Sequence, residues 1–487
     1  MRGNGCRSVS RIDARYTIYV PLKEDKLVNS QDMAHPQYRR DLGDGLVARW
    51  STAADLDGVQ QLYGFVFRGK PDEPANPRMP FWAADGASGR HPLVDDGTGA
   101  FALVEDTRSR MIVAALMVMR ATWEYAGISF GVGRPEAVAS HPDYRNRGLI
   151  RAIFDMFHAR SAARGQLAQG ITGIAYFYRQ LGYEYALDLG GIRSLAISTI
   201  PQLKEDTPEP YRLRPAVVDD IGQLTMLYER ERTRHQHGAP LLVSAKVDTQ
   251  YWQWLLAGQN VESGEGWGTL IVEDAQGRSI GYVLHRRIRS REAASIYGIA
   301  VEPHVSLAAV MPSILRGFAA LAPTLPVWRE ELPAPVKIHP CLGAADPAYD
   351  VVSERILAPL EPPYAWYIRV PDLAGFLQRI APALERRLAG STYAGHTGEL
   401  KITFYRGGLR LVFANGRLSE ATDWRAPVWG DEAQAGFPPL VFLQLLFGRR
   451  SFAELAYAFP DVWANDAERV LLETLFPKQI SWAIPQD

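Results

Sequence analysis

Apolar and polar positions follow a helical period over residues 149–160, "LIRAIFDMFHAR". Four apolar residues share one face of that helix, namely Leu149, Ile153, Met156 and Phe157. Arg151 and Asp155 lie on the opposite, polar face at a spacing of four, where opposite charges attract each other. The pattern predicts an amphipathic helix that begins near Gly148 and packs one side against a core.

The same order of elements is predicted twice along the chain. Each time a short strand precedes a helix that starts at an aspartate, and two apolar strands follow, joined at "DTRS" or at "DAQG". A further strand, "EAVASHP" in one copy and "YGIAVEP" in the other, leads into a second helix. A strand, a helix, an antiparallel hairpin and a strand-to-helix crossover together describe a mixed α/β sandwich.

Comparison of the chain with itself supports a duplication. Residues 48–63 resemble residues 213–228 at an offset of 165, and residues 103–116 resemble residues 271–284 at an offset of 168. Within the first match the identical pairs are Arg49 and Arg214, Asp55 and Asp220, Leu62 and Leu227, and Tyr63 and Tyr228. Two matches at nearly one offset predict a repeated domain. Chance likeness between two strand-turn-strand segments is the alternative.

The composition changes beyond Pro347, where "ILAPLEPPYAWYIRVPD" is rich in proline and predicts a linker with an entry strand. The helical pattern of residues 373–390 comes next, followed by the alternating strands "ELKITFYRG" and "LRLVFANG" and by two short helices. This order predicts an α+β module. We divide the chain into a polar, aperiodic and flexible N-terminal extension (1–44), a first α/β domain (45–205), its repeat (206–365) and the α+β module (366–487).

Length and charge narrow the classes of protein. At roughly 100 to 200 residues per domain, the 487 residues fit about three domains. The 53 basic and 54 acidic residues nearly balance, which is no footprint for nucleic acid or an anionic membrane. Two cysteines are too few for a disulfide framework, and residues 111–119 are too short an apolar run to span a bilayer. We expect a cytoplasmic protein without nucleic-acid or membrane partners.

The segment "YRNRG", residues 144–148, precedes the predicted amphipathic helix and follows a strand. A helix N-terminus offers free backbone N–H groups and the positive end of a dipole. Arg145 and Arg147 add two guanidinium groups, and Gly148 permits close approach of the backbone to a ligand. In α/β folds, ligands bind where strands end at such positions. These features predict a diphosphate site.

The Arg-x-x-Gly pattern between strand and helix resembles the pyrophosphate loop of the GNAT acyl-CoA N-acetyltransferases. "FYRQLGYEYA", residues 177–186, resembles the later Tyr-x-x-x-Gly-Tyr element of the same fold. The resemblance implies acetyl-CoA as a co-substrate, no metal, and Tyr178 as the general acid that protonates the departing thiolate. The residues implied to bind the co-substrate are Val138, Ala139, Arg145, Asn146, Arg147, Gly148, Leu149 and Ile150.

Ile150 replaces the last small residue of the usual loop, and this departure is typical of the enhanced intracellular survival (Eis-like) acetyltransferases. That resemblance implies tandem GNAT domains of α/β class plus a sterol carrier protein-like α+β domain at the C-terminus. The second copy reads "HVSLAAVMPSILRGF" at the helix start, without Arg-x-x-Gly, so one co-substrate site per chain is expected. A homo-oligomer, specifically a hexamer, is also implied.

The expected function is therefore acetyl-CoA-dependent N-acetylation of an amine by direct attack. The family implies an aminoglycoside, a polyamine or a lysine-like acceptor, with Asp487 at the chain end as the catalytic carboxylate. The acceptor pocket is expected between the first domain and the α+β module, lined by Phe81, Trp82 or Trp123. The alternative is a non-catalytic CoA- or lipid-binding protein that uses the GNAT domains as a scaffold.

Overall fold

The computed structural model describes residues 30–95, 99–233, 235–236, 239–289, 292–329, 332–426 and 432–484. Two parts of the expectations fall outside these ranges. They are residues 1–29 of the N-terminal extension and the predicted catalytic residue Asp487.

The first part of the chain folds as a sheet with helices on both faces. Its helices are α1 (Ser30–Ala34), α2 (Leu56–Val66), α3 (Met79–Ala87) and α4 (Leu149–Ala163). Its strands are β1 (Arg39–Gly43), β2 (Leu46–Trp50), β3 (Phe101–Asp106), β4 (Met111–Tyr125), β5 (Ile128–Ser140), β6 (Ala168–Ile171), β7 (Glu184–Leu189) and β8 (Leu195–Ala196). Strands β1 to β5 pair antiparallel in sequence order, and β6 joins β5 in parallel. The sheet thus begins inside the predicted extension.

Two separate apolar clusters hold this sheet. Leu149, Ile153 and Phe157 of α4 pack against one face of the sheet. Val59 of α2 and Trp82 of α3 belong to the cluster on the other face. Helix α4 begins at Leu149, directly after Gly148, as the period of apolar positions predicts. The sandwich predicted from the pattern is confirmed.

The second part repeats this plan. Its helices are α5 (Ile221–Thr233), α6 (Thr249–Gln253) and α7 (Leu307–Leu321). Its strands are β9 (Arg212–Pro215), β10 (His235–Gln236), β11 (Ala239–Pro240), β12 (Val243–Lys246), β13 (Trp267–Glu273), β14 (Ser279–Arg286), β15 (Ala293–Val301) and β16 (Lys337–Pro340). The second sheet has the order β8-β16-β15-β14-β13-β9, and β15 and β16 are parallel as β5 and β6 are. The first part lends β8 to this sheet, and β12 pairs with β4 of the first sheet.

The repeat extends to one cluster of charged side chains. In each copy an arginine on one strand (β2 or β9) bonds the aspartate just before the following helix (α2 or α5) and a glutamate on the neighbouring strand of the sheet (β3 or β13). The distances are 2.6 Å for Arg49–Asp55, 2.9 Å for Arg49–Glu105, 2.7 Å for Arg214–Asp220 and 2.6 Å for Arg214–Glu273. Because the identities found by self-comparison occupy equivalent positions in two sheets, the predicted tandem fold is confirmed.

The third part forms an α+β unit. Its helices are α8 (Leu373–Ala389), α9 (Phe442–Leu446), α10 (Phe452–Ala458) and α11 (Asp466–Leu475). Its strands are β17 (Tyr364–Arg369), β18 (Gly398–Thr403), β19 (Gly408–Ala414), β20 (Arg417–Asp423), β21 (Ala435–Gly436) and β22 (Trp463–Ala464). The last five strands form a sheet of their own, in the order β20-β19-β18-β21-β22. Strand β17 instead lies between β6 and β7 in the first sheet, antiparallel to both.

One helix segment among the described residues, Leu307–Thr324, is long and apolar enough by composition to cross a membrane. Val310, Ile314 and Phe318 of this segment are fully buried in the apolar cluster of the second sheet. The apolar face of α7 is therefore a core face of the second domain.

Candidate active site

A cavity opens where β5 and β6 separate. The two parallel strands pair only at Val132 with Ala168 and at Gly133 with Gln169. Beyond Gly133, the edge of β5 that faces β6 has no strand partner in the described ranges. A cavity of about 610 Å³ lies at this opening. The carboxyl-terminal half of β5 is therefore placed to bond a ligand through its backbone.

A β-bulge bends β5 at the cavity. The register between β4 and β5 shifts between Glu136 and Ala139, so Ala137 and Val138 both face Leu116. Ala137 has a φ of +49°, a left-handed conformation that is uncommon for alanine. Val138, which is predicted to bind the co-substrate, lines the cavity wall. The side chain of Ala139, which is also predicted to bind the co-substrate, is buried in the apolar cluster of α2 and α3 and does not reach the cavity.

The predicted diphosphate loop is exposed. Arg145, Asn146, Arg147 and Gly148 are open to solvent. Gly148 is the N-cap of α4 with a φ of +75°, and a Cβ added there would meet no atom within 4 Å. The glycine is therefore required by backbone conformation rather than by crowding.

The N-terminus of α4 fits an anion. No side chain caps it, and the first hydrogen bond of the helix runs from Ala152 N–H to Gly148 O at 3.0 Å. The N–H groups of Leu149 and Ile150 consequently lack helical partners. No hydrogen bond or ion pair engages the Arg145 side chain within the described residues. Helix dipole, free N–H groups and nearby arginine together suit a diphosphate.

Tyr178 reaches the cavity from a 3-10 helix, Phe177–Leu181. Its side chain is 3% exposed, and its ring packs edge to face against Tyr367 with centroids 5.4 Å apart. Burial, with a smaller contribution from the Glu136 charge, raises the pKa of Tyr178 well above its ordinary value. Its hydroxyl has no hydrogen-bond partner among the described residues. A protonated phenol without a partner is a suitable proton donor.

Glu136 is a cavity residue that the sequence reasoning missed. It lies on β5 beside the bulge, and Arg134 Nη2 donates a hydrogen bond to its Oε1. Burial raises the pKa of Glu136, and the Arg134 charge opposes that shift. The Arg134 guanidinium is 3% exposed and stacks over the Trp366 ring at 4.9 Å. The sequence signal for this residue is a glutamate next to the apolar residues of a predicted strand, "EAVAS".

The second part of the chain builds the facing wall, which the sequence reasoning also missed. Glu265 Oε2 pairs with Arg286 at 2.8 Å, and the Arg286 guanidinium stacks over Trp267 at 4.2 Å. Both charged residues line the cavity, together with Trp328. Each wall therefore presents a glutamate held by an arginine that lies on a tryptophan. This wall was missed because its residues come together only when two sheets face each other.

Of the three aromatic residues predicted to line the acceptor pocket, one lines this cavity. Trp82 lines the cavity. Phe81 does not, because its ring lies on the outer side of α3 and is 36% exposed. Trp123 does not either, because it is fully buried behind Trp366, edge to face at 5.5 Å. Ile484, the last described residue, lines the cavity as well.

The second copy differs from the first at the start of its helix. Helix α7 is capped by the Ser306 side chain, which accepts a hydrogen bond from Ala309 N–H, so an anion would compete with its own cap. The hydroxyl of Tyr349 in the second copy is already satisfied, 2.6 Å from Pro340 O. Leu342 N–H also donates to that hydroxyl, at 3.3 Å. These contacts leave the second copy without the open groups of the first.

The comparisons with known proteins agree with this geometry. Residues 48–186 match the model of the acetyltransferase (GNAT) domain. No curated protein sequence matches the chain significantly. A GCN5-related N-acetyltransferase from Kribbella flavida has a similar structure at 18% identity and a TM-score of 0.58, over 91% of this chain and 98% of that one.

Two further solved structures are similar over nearly their whole length. A GCN5-related N-acetyltransferase from Anabaena variabilis ATCC 29413 has 14% identity and a TM-score of 0.59, over 90% of this chain and 99% of that one. Eis1 from Mycobacterium abscessus has 15% identity and a TM-score of 0.51, over 90% and 98%. At such identities the likeness establishes the fold.

The domain match shows that the chain is an acyltransferase enzyme. Residues 48–186 form its acetyltransferase (GNAT) domain. The alternative of a non-catalytic binding protein is set aside on this basis.

Proposed function

We propose that the protein transfers the acetyl group of acetyl-CoA to an amine in a single direct attack. The observation that carries the proposal is that Tyr178 and Glu136 line one cavity at the separated ends of β5 and β6. Strand β5 leads from that cavity directly into the exposed loop of Arg145 to Gly148. The carboxylate thus lies on β5 and the anion site follows that strand, while the proton donor reaches the same cavity from the turn after β6.

The loop would hold the diphosphate of acetyl-CoA. Arg145 and Arg147 supply positive charge, and the N–H groups of Leu149 and Ile150 point out of an uncapped helix end. Asn146, with a φ of +62°, sets the loop conformation. The thioester supplies the activated acetyl group when acetyl-CoA is bound. The unpaired edge of β5 around Val138 and Ala139 would donate backbone hydrogen bonds to the carbonyl oxygen.

Glu136 would accept the proton of the attacking amine. Its raised pKa makes the carboxylate a stronger base than an exposed glutamate, while Arg134 keeps it oriented. Tyr178 would donate its proton to the departing thiolate, because its raised pKa keeps the phenol protonated at neutral pH. The two roles require groups of opposite protonation state, and this pair provides them.

Asp487 is the second candidate for the base. Ile484 lines the cavity, and Asp487 follows it by three residues, which span at most about 10 Å. The acceptors proposed are those of the Eis-like acetyltransferases, namely an aminoglycoside, a polyamine or a lysine side chain. Glu136 and Glu265 offer carboxylate oxygens to an amine donor, and the tryptophans offer ring faces.

The wider family assignment is also a proposal. The helix α8 and the sheet of β18 to β22 would be a sterol carrier protein-like domain, and the chain would form a homo-oligomer, specifically a hexamer, in the cytoplasm. Similarity to Eis1 from Mycobacterium abscessus supports this assignment. Sedimentation equilibrium tests it, and a mass equal to one chain would contradict the oligomer.

The first experiment is calorimetric titration of acetyl-CoA into the wild type and into Arg145→Glu with Arg147→Glu. Binding at one site per chain, lost in the variant, is expected because two negative charges repel the diphosphate. Arg39→Glu, an exposed position on β1, is the matched control and should bind normally. Kanamycin, spermidine and Nα-acetyl-lysine are then tested as acceptors by release of the CoA thiol. Absence of binding to the wild type would overturn the proposal.

A further inference from the structure

The connection between α2 and α3, residues 67–78, forms part of the cavity wall. Phe67 at its start and Met79 directly after it line the cavity. The connection contains no helix or strand. Within the first domain, Asn76 ties it to α2 by donating its N–H to Gly64 O at 2.7 Å and its Nδ2 to Phe67 O at 2.9 Å. The rest of the connection depends on other contacts for its position.

The second domain provides those contacts. Arg329 pairs with Glu73, and Arg78 pairs with Glu262. Arg78 Nη2 also donates to Val327 O at 3.1 Å. Next to the connection, both carboxylate oxygens of Asp85 on α3 accept from Asn260 N–H, at 3.0 and 3.1 Å. Four polar contacts thus join one wall of the cavity to the second domain.

These contacts surround a residue that itself faces the cavity. Trp328 lies between Val327 and Arg329 in sequence, lines the cavity, and packs against the apolar cluster of α2 and α3. Half-exposed ion pairs contribute little to the stability of a whole chain. Their concentration on residues 67–78 is therefore explained better by the need to hold that wall than by stability.

We propose that the second domain, which lacks the phosphate loop, acts as the positioning element of the acceptor site. Glu73–Arg329 and Arg78–Glu262 hold residues 67–78 against Trp328 and so set the shape of the acceptor end of the cavity. The positioning residues are Arg329 and Arg78, which act through Phe67 and Met79. The expected change in KM rests on the proposed amine acetylation. The expected position of residues 67–78 does not.

The test is a charge swap in the full chain, with Glu73→Arg, Arg329→Glu and the double variant. Each single variant places like charges together and releases the wall. The KM for the best of the three amines should rise on the order of tenfold, while the KM for acetyl-CoA and the melting temperature stay close to those of the wild type. The double variant restores the pair with reversed polarity and should recover the wild-type KM.

Hydrogen exchange of the peptide covering residues 67–78 provides a readout independent of turnover. Exchange should be faster in both single variants and return to the wild-type rate in the double variant. The matched control is Arg193→Glu with Glu354→Arg, an ion pair that joins the end of the first domain to the second and whose two residues do not line the cavity. That swap should leave both KM values and the exchange of residues 67–78 unchanged.

The two proposals fail in different ways. Wild-type protein that acetylates none of the amines contradicts the proposed function, and the exchange experiment still decides the positioning role. Unchanged exchange in the single variants, or an unrestored double variant, overturns the positioning role. Equal increases in the KM values for amine and acetyl-CoA would overturn it as well, because acetyl-CoA is proposed to be held by the loop of Arg145 and Arg147 and not by this wall.

Discussion

Glu136 and Tyr178 face one cavity, and the Glu136 charge adds to the burial that raises the pKa of the Tyr178 phenol. A carboxylate beside a phenol favours the neutral phenol, because a second negative charge would be repelled. At neutral pH the pair thus provides an ionised carboxylate as the base and a protonated phenol as the acid. Mutation of either residue should therefore affect turnover in its own way.

Tyr178→Phe should lower kcat by about 10²- to 10³-fold without a change in acetyl-CoA affinity. The free energy of unfolding should change little, because the hydroxyl makes no hydrogen bond among the described residues and the ring contacts are kept. Tyr349→Phe is the matched control, since its hydroxyl bonds Pro340 O. That variant should lose about 1 to 3 kcal/mol of stability and keep full kcat. Turnover kinetics measure kcat, and urea unfolding measures stability, for both variants. Full activity of Tyr178→Phe would contradict the role of Tyr178 as the general acid.

Glu136→Gln should remove the rising limb of the pH profile of kcat/KM. Burial raises the pKa of Glu136, so the wild-type carboxylate is protonated and inactive at low pH and gains activity as pH rises through that raised pKa. The variant cannot titrate and should lose about 10²- to 10⁴-fold in kcat. If the rising limb persists in Glu136→Gln and disappears in Asp487→Asn, then Asp487 is the base.

The repeated ion-pair cluster allows one residue to be compared with its own duplicate. The Arg49 side chain is 11% exposed and the Arg214 side chain 34% exposed. The carboxylate partners are equally exposed in the two copies, so the arginines themselves make the difference. Arg49→Met removes a buried guanidinium and should destabilise by about 3 kcal/mol, whereas Arg214→Met should lose about 1 kcal/mol, because solvent already screens the more exposed Arg214. Chemical unfolding of both variants checks this. Equal losses would mean that burial does not control the strength of the cluster.

Asp85 should make stability depend on pH at the contact between the first two domains. Burial raises its pKa to about 6, and the Asn260 N–H opposes this shift. The folded state therefore binds this proton more tightly than the unfolded state, so its contribution is present below about pH 4 and is lost as pH rises through 6. Relative to Asp85→Asn, the wild type should lose about 3 kcal/mol between pH 4 and 7.5. A constant difference between the two proteins would contradict the raised pKa.

The sequence pattern predicts what depends on local spacing. The start of α4 at Leu149, the exposed loop before it and the equivalence of Arg49 with Arg214 follow from periods and repeats, and the structure has them. The position of Tyr178 at the cavity agrees with the motif that contains it. The predicted roles of the loop residues and the domain boundaries stay predictions.

Features that depend on contacts between residues far apart in the sequence were not predicted. Residues 39–43 have a weak alternating pattern because β1 is an edge strand with one exposed face, so they were assigned to the extension. The wall of Glu265 and Trp267 forms only when two domains meet. The insertion of β17 into the first sheet was not predicted, because a strand's own residues do not specify which partners it pairs with.

The position of β17 has a consequence for how the enzyme matures during synthesis. Residues 364–369 lie between β6 and β7 and bond both, so the sheet that carries Tyr178 stays incomplete until the ribosome has passed all of the second domain. Folding of the catalytic half must then wait for a pairing of high sequence separation, which is slow. A nascent chain that ends before residue 364 would expose the facing edges of β6 and β7, and chaperone protection is expected to matter most in that interval.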